Sequence, residues 1–250
     1  MKKNYSVAYS RYVLVVLVLT YTCSYLDRYV LSVLIEPIKA DLKISDTQIG
    51  LLGGFAFALL YTLAGVPIAR WADTGSRRTI ISLGVAIWSL MTIACGMAKS
   101  FPALLLARIG VGLGEAGCTP PAHSLIADYF PPHQRATALS IYGAAIPIGV
   151  MLGFFLGGWL AHYFDWRVAF IVVGAPGLLL ALLVRFTIDE PERGRLDAQA
   201  SDKTSAMPNA DKSEYSFKQA MVFIAKTPAL VLIQIGGAFH ALAGYGLSFW

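Results

Sequence analysis

Seven long apolar stretches, joined mostly by short polar links, dominate this 250-residue sequence. A helix needs about 20 apolar residues to cross a bilayer. Because hydrocarbon offers no hydrogen-bond partners, a spanning segment must satisfy its own backbone, as an α-helix does. Length therefore assigns transmembrane helices to residues 12–35, 49–69, 79–98, 101–127, 136–161, 168–188 and 228–250. The predicted fold class is an all-α, polytopic membrane protein.

Composition excludes several other classes of protein. Charged residues make up 14% of the chain, whereas a soluble domain carries about 25%. The net charge of +5 does not indicate a nucleic-acid partner, because the basic residues gather in the links between apolar stretches. Cys23, Cys95 and Cys118 lie inside apolar stretches and lack the spacing of a metal site or a disulfide framework. We therefore expect no metal ion and no nucleic acid.

One glycine pattern imitates a cofactor motif. Residues 112–117 satisfy Gly-x-Gly-x-x-Gly, the dinucleotide-binding fingerprint. That fingerprint requires a preceding strand and a helix that opens at the glycines, whereas these residues lie in the middle of a predicted span. The sequence also lacks the glycine-rich loop that holds ATP phosphates. No cofactor is expected.

One long link differs from the others and divides the chain. Residues 189–227 are charged and polar, and they separate the first six apolar stretches from the seventh. We predict a six-helix N-terminal transmembrane bundle at residues 1–188, a charged cytoplasmic linker at 189–227 and the start of a second bundle at 228–250. On this prediction the chain is truncated, and a second six-helix bundle is missing from it.

The positions of lysine and arginine predict the orientation. Alternate links and the N-terminus carry most of the basic residues, among them Lys2, Lys3, Arg70, Arg77, Arg78, Arg135, Arg193 and Arg195. Loops with excess lysine and arginine face the cytoplasm. The first apolar run continues to Leu34 without a small-residue cleavage site, so it is predicted to be a retained span. We expect a multi-pass plasma (inner) membrane protein with a cytoplasmic N-terminus.

Four ionisable residues lie inside predicted spans. Arg108 and Glu115 are seven residues apart, a spacing that returns both side chains to one helix face. Asp27 and Arg28 lie toward the end of the first span. Such groups are costly in hydrocarbon unless they face one another, water or a substrate. These four are the candidate residues for substrate binding and proton coupling.

Less specific explanations exist for these residues. Asp27 can be an interfacial cap with Arg28 extended toward the headgroups. Arg108 and Glu115 can form an ion pair that only locks helices together. Tyr21, Tyr25 and Tyr29 recur every fourth residue, and they either line a substrate path or pack against a neighbouring helix.

Several motifs carry a resemblance to the major facilitator superfamily. Residues 69–78 resemble its cytoplasmic loop motif Gly-x-x-x-Asp-Arg-x-Gly-Arg-Arg at Asp73, Arg77 and Arg78, but not at Ala69, Thr74 or Ser76. Arg108-x-x-x-Gly112-x-Gly114 resembles its fourth-helix motif, and Trp166-Arg167 and Glu190-Pro191 are also typical of it. The resemblance implies a cytoplasmic gate, which we assign to Asp73, Arg77, Arg78 and Arg135.

A narrower resemblance is to the spinster branch. It rests on Asp27-Arg28, on residues 108–116 and on residues 124–131. It implies transport of lipid-like amphiphiles with proton coupling, and roles in coupling and gating for Asp27, Arg108 and Glu115. The organic-anion branch has a similar fourth span, so small organic anions stay open as substrates.

These observations predict a secondary transporter that works by alternating access. Its expected partners are a small-molecule or lipid substrate, protons and membrane lipids. The alternative is a polytopic receptor or scaffold that does not transport. An enzyme is not expected, because the spans lack a histidine-rich metal cluster and a nucleophile–base pair.

Overall fold

The computed structural model describes residues 5–196 and 217–249, which are helical over most of their length and contain no strand. The all-α prediction is confirmed. The chain divides into two compact units, residues 1–199 and residues 200–250. The predicted linker, 189–227, lies partly outside the described residues, at 197–216.

The first unit contains ten α-helices and one π-helical turn in its described part. The helices are α1 (Val7–Val33), α2 (Ile35–Leu42), α3 (Asp46–Gly50), α4 (Ala56–Thr74), α5 (Arg77–Gly96), α6 (Phe101–Ala116), α7 (Thr119–Tyr129), α8 (Pro132–Gly143), α9 (Ala145–Tyr163) and α10 (Trp166–Thr187). The π-helical turn, Leu51–Phe55, joins α3 to α4 without a break. The second unit contains α11 (Phe217–Lys226) and α12 (Pro228–Phe249).

Five helical segments of the described chain are long and apolar enough to cross a membrane. They are Val7–Val33, Arg77–Gly96, Phe101–Tyr129, Pro132–Tyr163 and Trp166–Thr187. These segments correspond to the first, third, fourth, fifth and sixth predicted spans. The second predicted span lies in the continuous segment formed by α3, the π-helical turn and α4, and the seventh lies in α12.

Prolines divide two of the long segments. A proline inside a helix clashes with the carbonyl group four residues earlier. Pro121 follows Gly117 by four residues, and α6 ends at Ala116 just before that glycine. Pro147 follows Gly143 by four residues, and α8 ends at Gly143. The positions of these prolines therefore account for the two breaks.

Glycines bring the helices of the first unit close together. A Cβ atom added to Gly149 of α9 would lie 2.5 Å from the Thr22 carbonyl oxygen of α1, and one added to Gly114 of α6 would lie 2.5 Å from the Trp88 amide nitrogen of α5. Small residues allow such approach where lipid supplies no hydrophobic drive. Large apolar side chains on the outside, such as Leu106 and Phe155, are exposed, which suits a surface that faces lipid tails.

Candidate functional site

The four ionisable residues predicted from the sequence meet inside the first unit, and we call them the charge quartet. Asp27 and Arg28 come from α1, and Arg108 and Glu115 come from α6. Asp27, Arg108 and Glu115 are 1%, 2% and 1% exposed, and the Arg28 side chain is 10% exposed. The charged groups of the quartet therefore have little access to water.

The quartet pairs across the two helices. Arg28 Nε donates to Glu115 Oε2 at 2.5 Å, and Arg108 Nη1 lies 3.7 Å from Asp27 Oδ1. Arg108 and Glu115 share a face but lie about 10 Å apart along the axis, because a helix rises about 1.5 Å per residue. Each acid therefore pairs with the arginine of the other helix.

Two further helices support the quartet. The Thr92 hydroxyl of α5 donates to Asp27 Oδ2. The Arg28 guanidinium lies over the rings of Tyr25, Phe57 and Tyr61, 5.1, 5.1 and 4.9 Å from their centroids. A guanidinium over an aromatic face gains electrostatic attraction, which is larger where water is excluded. In the described part of the chain, Arg28 thus contacts three rings and one carboxylate.

Several polar atoms of the quartet keep unused hydrogen-bonding capacity. Within the described residues, Asp27 Oδ1, Glu115 Oε1, Arg108 Nε and Arg108 Nη1 are buried without a hydrogen-bond partner. A buried polar atom in this condition costs about 1–3 kcal/mol, and a functional role is one of the explanations for such an atom. A proton can be accepted at either carboxylate oxygen, and a ligand can be bound at the guanidinium.

The rings of Tyr25, Tyr21 and Tyr142, which we call the tyrosine ladder, and a small cavity lie beside the quartet. Tyr21 stacks on Tyr142 of α8 with centroids 4.5 Å apart and meets Tyr25 edge-on at 5.1 Å. The cavity lies among α1, α5, α7 and α8 and is lined by Leu17, Thr20, Tyr21, Ser24, Ile81, Trp88, Cys118, Ala122 and Tyr142. Ser24 and Cys118 place it within about one helical turn of Arg28 and Glu115 along the chain.

A second charged cluster forms where α10 leads into residues 188–195, at what we call the linker end of the unit. Arg77 is fully buried. Its Nε donates to Glu190 Oε1 at 2.7 Å, its Nη2 to the Pro191 carbonyl at 2.7 Å and its Nη1 to Ser124 Oγ at 2.9 Å. Nη1 also pairs with Asp128. This one side chain therefore connects α5, α7 and the segment after α10.

The other predicted gate residues make different contacts, and not all of them form ion pairs. Arg78 donates from its main-chain N–H to Glu190 at 2.9 Å and from Nη1 to the Ile188 carbonyl at 3.0 Å. Arg135 donates to the Ala127 carbonyl at 2.8 Å. Asp73 is exposed, and no ion pair joins it to these arginines in the described part of the chain. The acids that pair with Arg77 are Asp128 and Glu190 instead.

Residues 188–195 form a strap over the linker end. Gly194 donates its N–H to Asp128 Oδ1 at 2.9 Å, and Arg193 donates to the carbonyls of Ala72 and Gly75 at 2.6 and 2.7 Å. Burial opposes ionisation of Glu190, but hydrogen bonds from Arg77, the Arg78 N–H and Ser76 outweigh it. They hold the pKa of Glu190 below its ordinary value.

Sequence reasoning missed several of the residues that support these two clusters. Thr92, Phe57 and Tyr61 stand in apolar stretches without a recognisable pattern. Asp128 and Glu190 fall inside motifs that carry the family resemblance, and these motifs were the one available signal for them. In the described residues, no group of three histidine, cysteine, aspartate or glutamate side chains is arranged to hold a metal ion.

Fold and site together define a polytopic membrane protein with paired charges buried between its helices. Charged groups at this depth are typical of proteins that conduct protons or solutes across a bilayer. The chain belongs to the major facilitator superfamily, whose model, "Major Facilitator Superfamily", matches residues 17–250.

Individual relatives narrow the comparison. An "MFS-type efflux pump" of Mycolicibacterium smegmatis is 35% identical over 233 residues, which cover 93% of this chain and 51% of the relative. "Protein spinster homolog 1" of Xenopus laevis is 29% identical over 249 residues, 98% of this chain and 46% of the relative.

A solved structure is similar over almost the whole chain. It is a bacterial homologue of the human lysosomal transporter Spinster in an inward-facing, unoccupied conformation, with 40% identity and a TM-score of 0.83. The match covers 98% of this chain and 55% of that one. The spinster-like resemblance is confirmed, and the chain spans about half the length of the relatives it matches.

Proposed function

We propose that this chain forms one half of a proton-coupled secondary transporter that works by alternating access. The observation that carries the proposal is the cross-paired charge quartet, which is buried between two membrane helices and retains unused hydrogen-bonding atoms. The membership in a transporter superfamily supports it.

The quartet supplies the coupling chemistry. When Glu115 takes a proton, its charge is neutralised and its attraction for Arg28 falls, so the guanidinium becomes available to an anionic group of a substrate. In the same way, protonation of Asp27 weakens its attraction for Arg108 and makes that guanidinium available. Each protonation changes the bonds between α1 and α6, and this change can bias which side of the membrane the cavity opens to. Protonation and substrate binding then act on the same pair of helices.

The proposal assigns a gate to the linker end and an orientation to the chain. Arg77, Arg78 and Arg135 bond to elements at this end, and exposed Asp73 is available to a partner that another conformation brings near. Residues 1–188 form the N-terminal bundle, 189–227 the cytoplasmic linker and 228–250 the start of the second bundle. The N-terminus and linker face the cytoplasm in a plasma (inner) membrane, as the basic links indicate.

The proposed substrate is a lipid-like amphiphile or a small organic anion. Arg28 and Arg108 suit an anionic group, and the tyrosine ladder with its apolar neighbours suits a hydrocarbon chain. The similarity to spinster proteins supports the amphiphile. In that case the head group binds near the quartet and the tail lies along the tyrosines.

The test is transport by the full natural chain in lipid vesicles with an imposed pH gradient. Fluorescent lysolipid and a labelled small carboxylate are supplied in separate experiments. We expect one of them to be transported in a gradient-dependent way, and Glu115→Gln to abolish that dependence. Glu36→Gln is the matched control, because the Glu36 side chain is 82% exposed and bonds only to Lys39 among the described residues. Full gradient dependence in Glu115→Gln would remove Glu115 from coupling.

A receptor or scaffold predicts a different result. Its helix contacts would stay fixed, so cysteines introduced beside Glu115 would react from one side of the membrane at most. A transporter exposes such positions to each side in turn. Labelling with a membrane-impermeant thiol reagent, applied from either side, distinguishes the two.

A further inference from the structure

We infer that Phe57 is a positioning residue of the charge quartet, whose ring holds both arginines in the geometry in which each meets a carboxylate of the other helix. The inference rests on the proposed function and adds a component to it. Arg28 and Arg108 come from different helices, yet both lie over the ring of Phe57, 5.1 and 5.5 Å from its centroid.

The electrostatics explain why one ring is useful here. Two guanidinium groups in the same buried site repel each other, and burial strengthens this repulsion. The face of an aromatic ring carries partial negative charge and attracts cations. A ring that contacts both guanidiniums offsets part of their repulsion without offering either one a competing carboxylate. Each arginine can then keep its own acid.

The backbone around Phe57 is arranged to bring the ring to this place. Phe57 is 7% exposed and is the second residue after the π-helical turn Leu51–Phe55. A π-helical turn shifts the direction of the residues that follow it, and such turns are frequent at functional sites. On α6, Gly112 lies between Arg108 and Glu115. A Cβ atom on Gly112 would lie 3.2 Å from Phe57 Cδ2, so this glycine leaves room for the ring.

Tyr25 and Tyr61 each lie under Arg28. Among the ring contacts described, the Phe57 ring is the one that lies under an arginine of each pair. We therefore expect it to connect α4 to both ion pairs, so that a movement of α4 reaches the two carboxylates together.

The test replaces Phe57 by phenylalanines that carry one, two or three ring fluorines, in the full natural chain. Fluorines draw charge from the ring face with little change of shape, so packing is retained while the attraction for cations falls. Phe130 is the matched control, because it is 8% exposed and no described arginine lies over its ring. Initial transport rate and thermal midpoint are measured for each protein.

At position 57 we expect the initial transport rate and the thermal midpoint to fall with each added fluorine. With three fluorines we expect transport to be about three- to tenfold slower. At position 130 we expect no trend. A trifluorinated Phe57 protein that transports and unfolds like the natural protein would overturn the inference. If the natural protein transports, a trend in thermal midpoint without a trend in rate would also overturn the inference, since the ring would then be a structural contact only.

Failure of the proposed function gives a different pattern. In that case the natural protein transports neither probe, and the thermal series alone reports on Phe57. A thermal trend at position 57 then supports the contact between ring and arginines, and its absence refutes that contact.

Discussion

Replacing Arg77 by methionine is expected to destabilise the first unit more than any other single arginine change at the linker end. Methionine fills much of the same volume but donates no hydrogen bond. The change removes the partner of two carboxylates, Asp128 and Glu190, together with bonds to Ser124 and to the Pro191 carbonyl. Because Arg77 is fully buried, water cannot take its place without opening the cluster.

The magnitude follows from these contacts. Removing one partner of a buried ion pair costs about 3–5 kcal/mol. For a unit of this size, 1 kcal/mol lowers the thermal midpoint by about 2–4 °C, so a decrease of about 6–20 °C is expected. Arg78→Met is the matched control, because its side chain contributes one described hydrogen bond, to the Ile188 carbonyl. That loss costs about 0.5–1.5 kcal/mol, or a decrease of about 1–6 °C.

The assay is thermal unfolding of the full natural chain in detergent micelles, followed by tryptophan fluorescence. Trp88 on α5 is 2% exposed and reports on loss of packing. Added salt should change the difference between the two variants little, since buried pairs are poorly screened. If Arg77→Met lowers the midpoint no more than Arg78→Met does, the linker end is not held through Arg77 and the reasoning fails.

Three further outcomes are expected. Because folding lowers the pKa of Glu190, ionised Glu190 stabilises the fold at pH values above 4.5, the ordinary pKa of the group, and this stabilisation is lost as the pH falls through the lower pKa of the folded state. Glu190→Gln should therefore unfold at a lower temperature than the natural protein near pH 7, and the difference in thermal midpoint should shrink near pH 3. Gly114→Ala should lower the free energy of unfolding by about 1–3 kcal/mol, because the added Cβ atom would lie 2.5 Å from the Trp88 amide nitrogen. Gly158→Ala is the control, since no heavy atom lies within 4 Å of its added Cβ, and it should leave the thermal midpoint unchanged or slightly higher. Equal effects of the two changes would show that close helix packing at Gly114 does not matter for stability. Thr92→Val should slow transport several-fold by removing the donor to Asp27, Thr92→Ser should restore it, and Thr62→Val, which loses only a bond to its own helix, should act like the natural protein.

Much of the fold could be predicted because a backbone inside a bilayer must satisfy its own hydrogen bonds, which an α-helix does. Apolar length alone placed the long helices, and prolines inside them, such as Pro121 and Pro147, are a sequence signal for helix breaks. The π-helical turn before α4 has no comparable signal, since Leu51–Phe55 reads as an ordinary apolar helix.

The members of the charge quartet could be predicted, but not how they pair. Charges at membrane depth identified Asp27, Arg28, Arg108 and Glu115. Their partners depend on how far α1 is shifted along α6, which no spacing within one helix reveals. The ion pairs of the predicted gate could not be predicted either. Asp73 is near Arg77 in sequence, but the strap brings Glu190 to Arg77 from more than a hundred residues away, and such contacts are set by packing.

The strap also determines where this unit can be cut. A fragment trimmed at residue 188 would keep every membrane helix of the first unit but discard Glu190, Pro191 and Gly194, leaving Arg77 with fewer acceptors and Asp128 with fewer donors. A fragment that extends through residue 195 would keep these bonds. An isolated half intended for expression should therefore retain this short tail, because it is a structural component rather than a disposable tether.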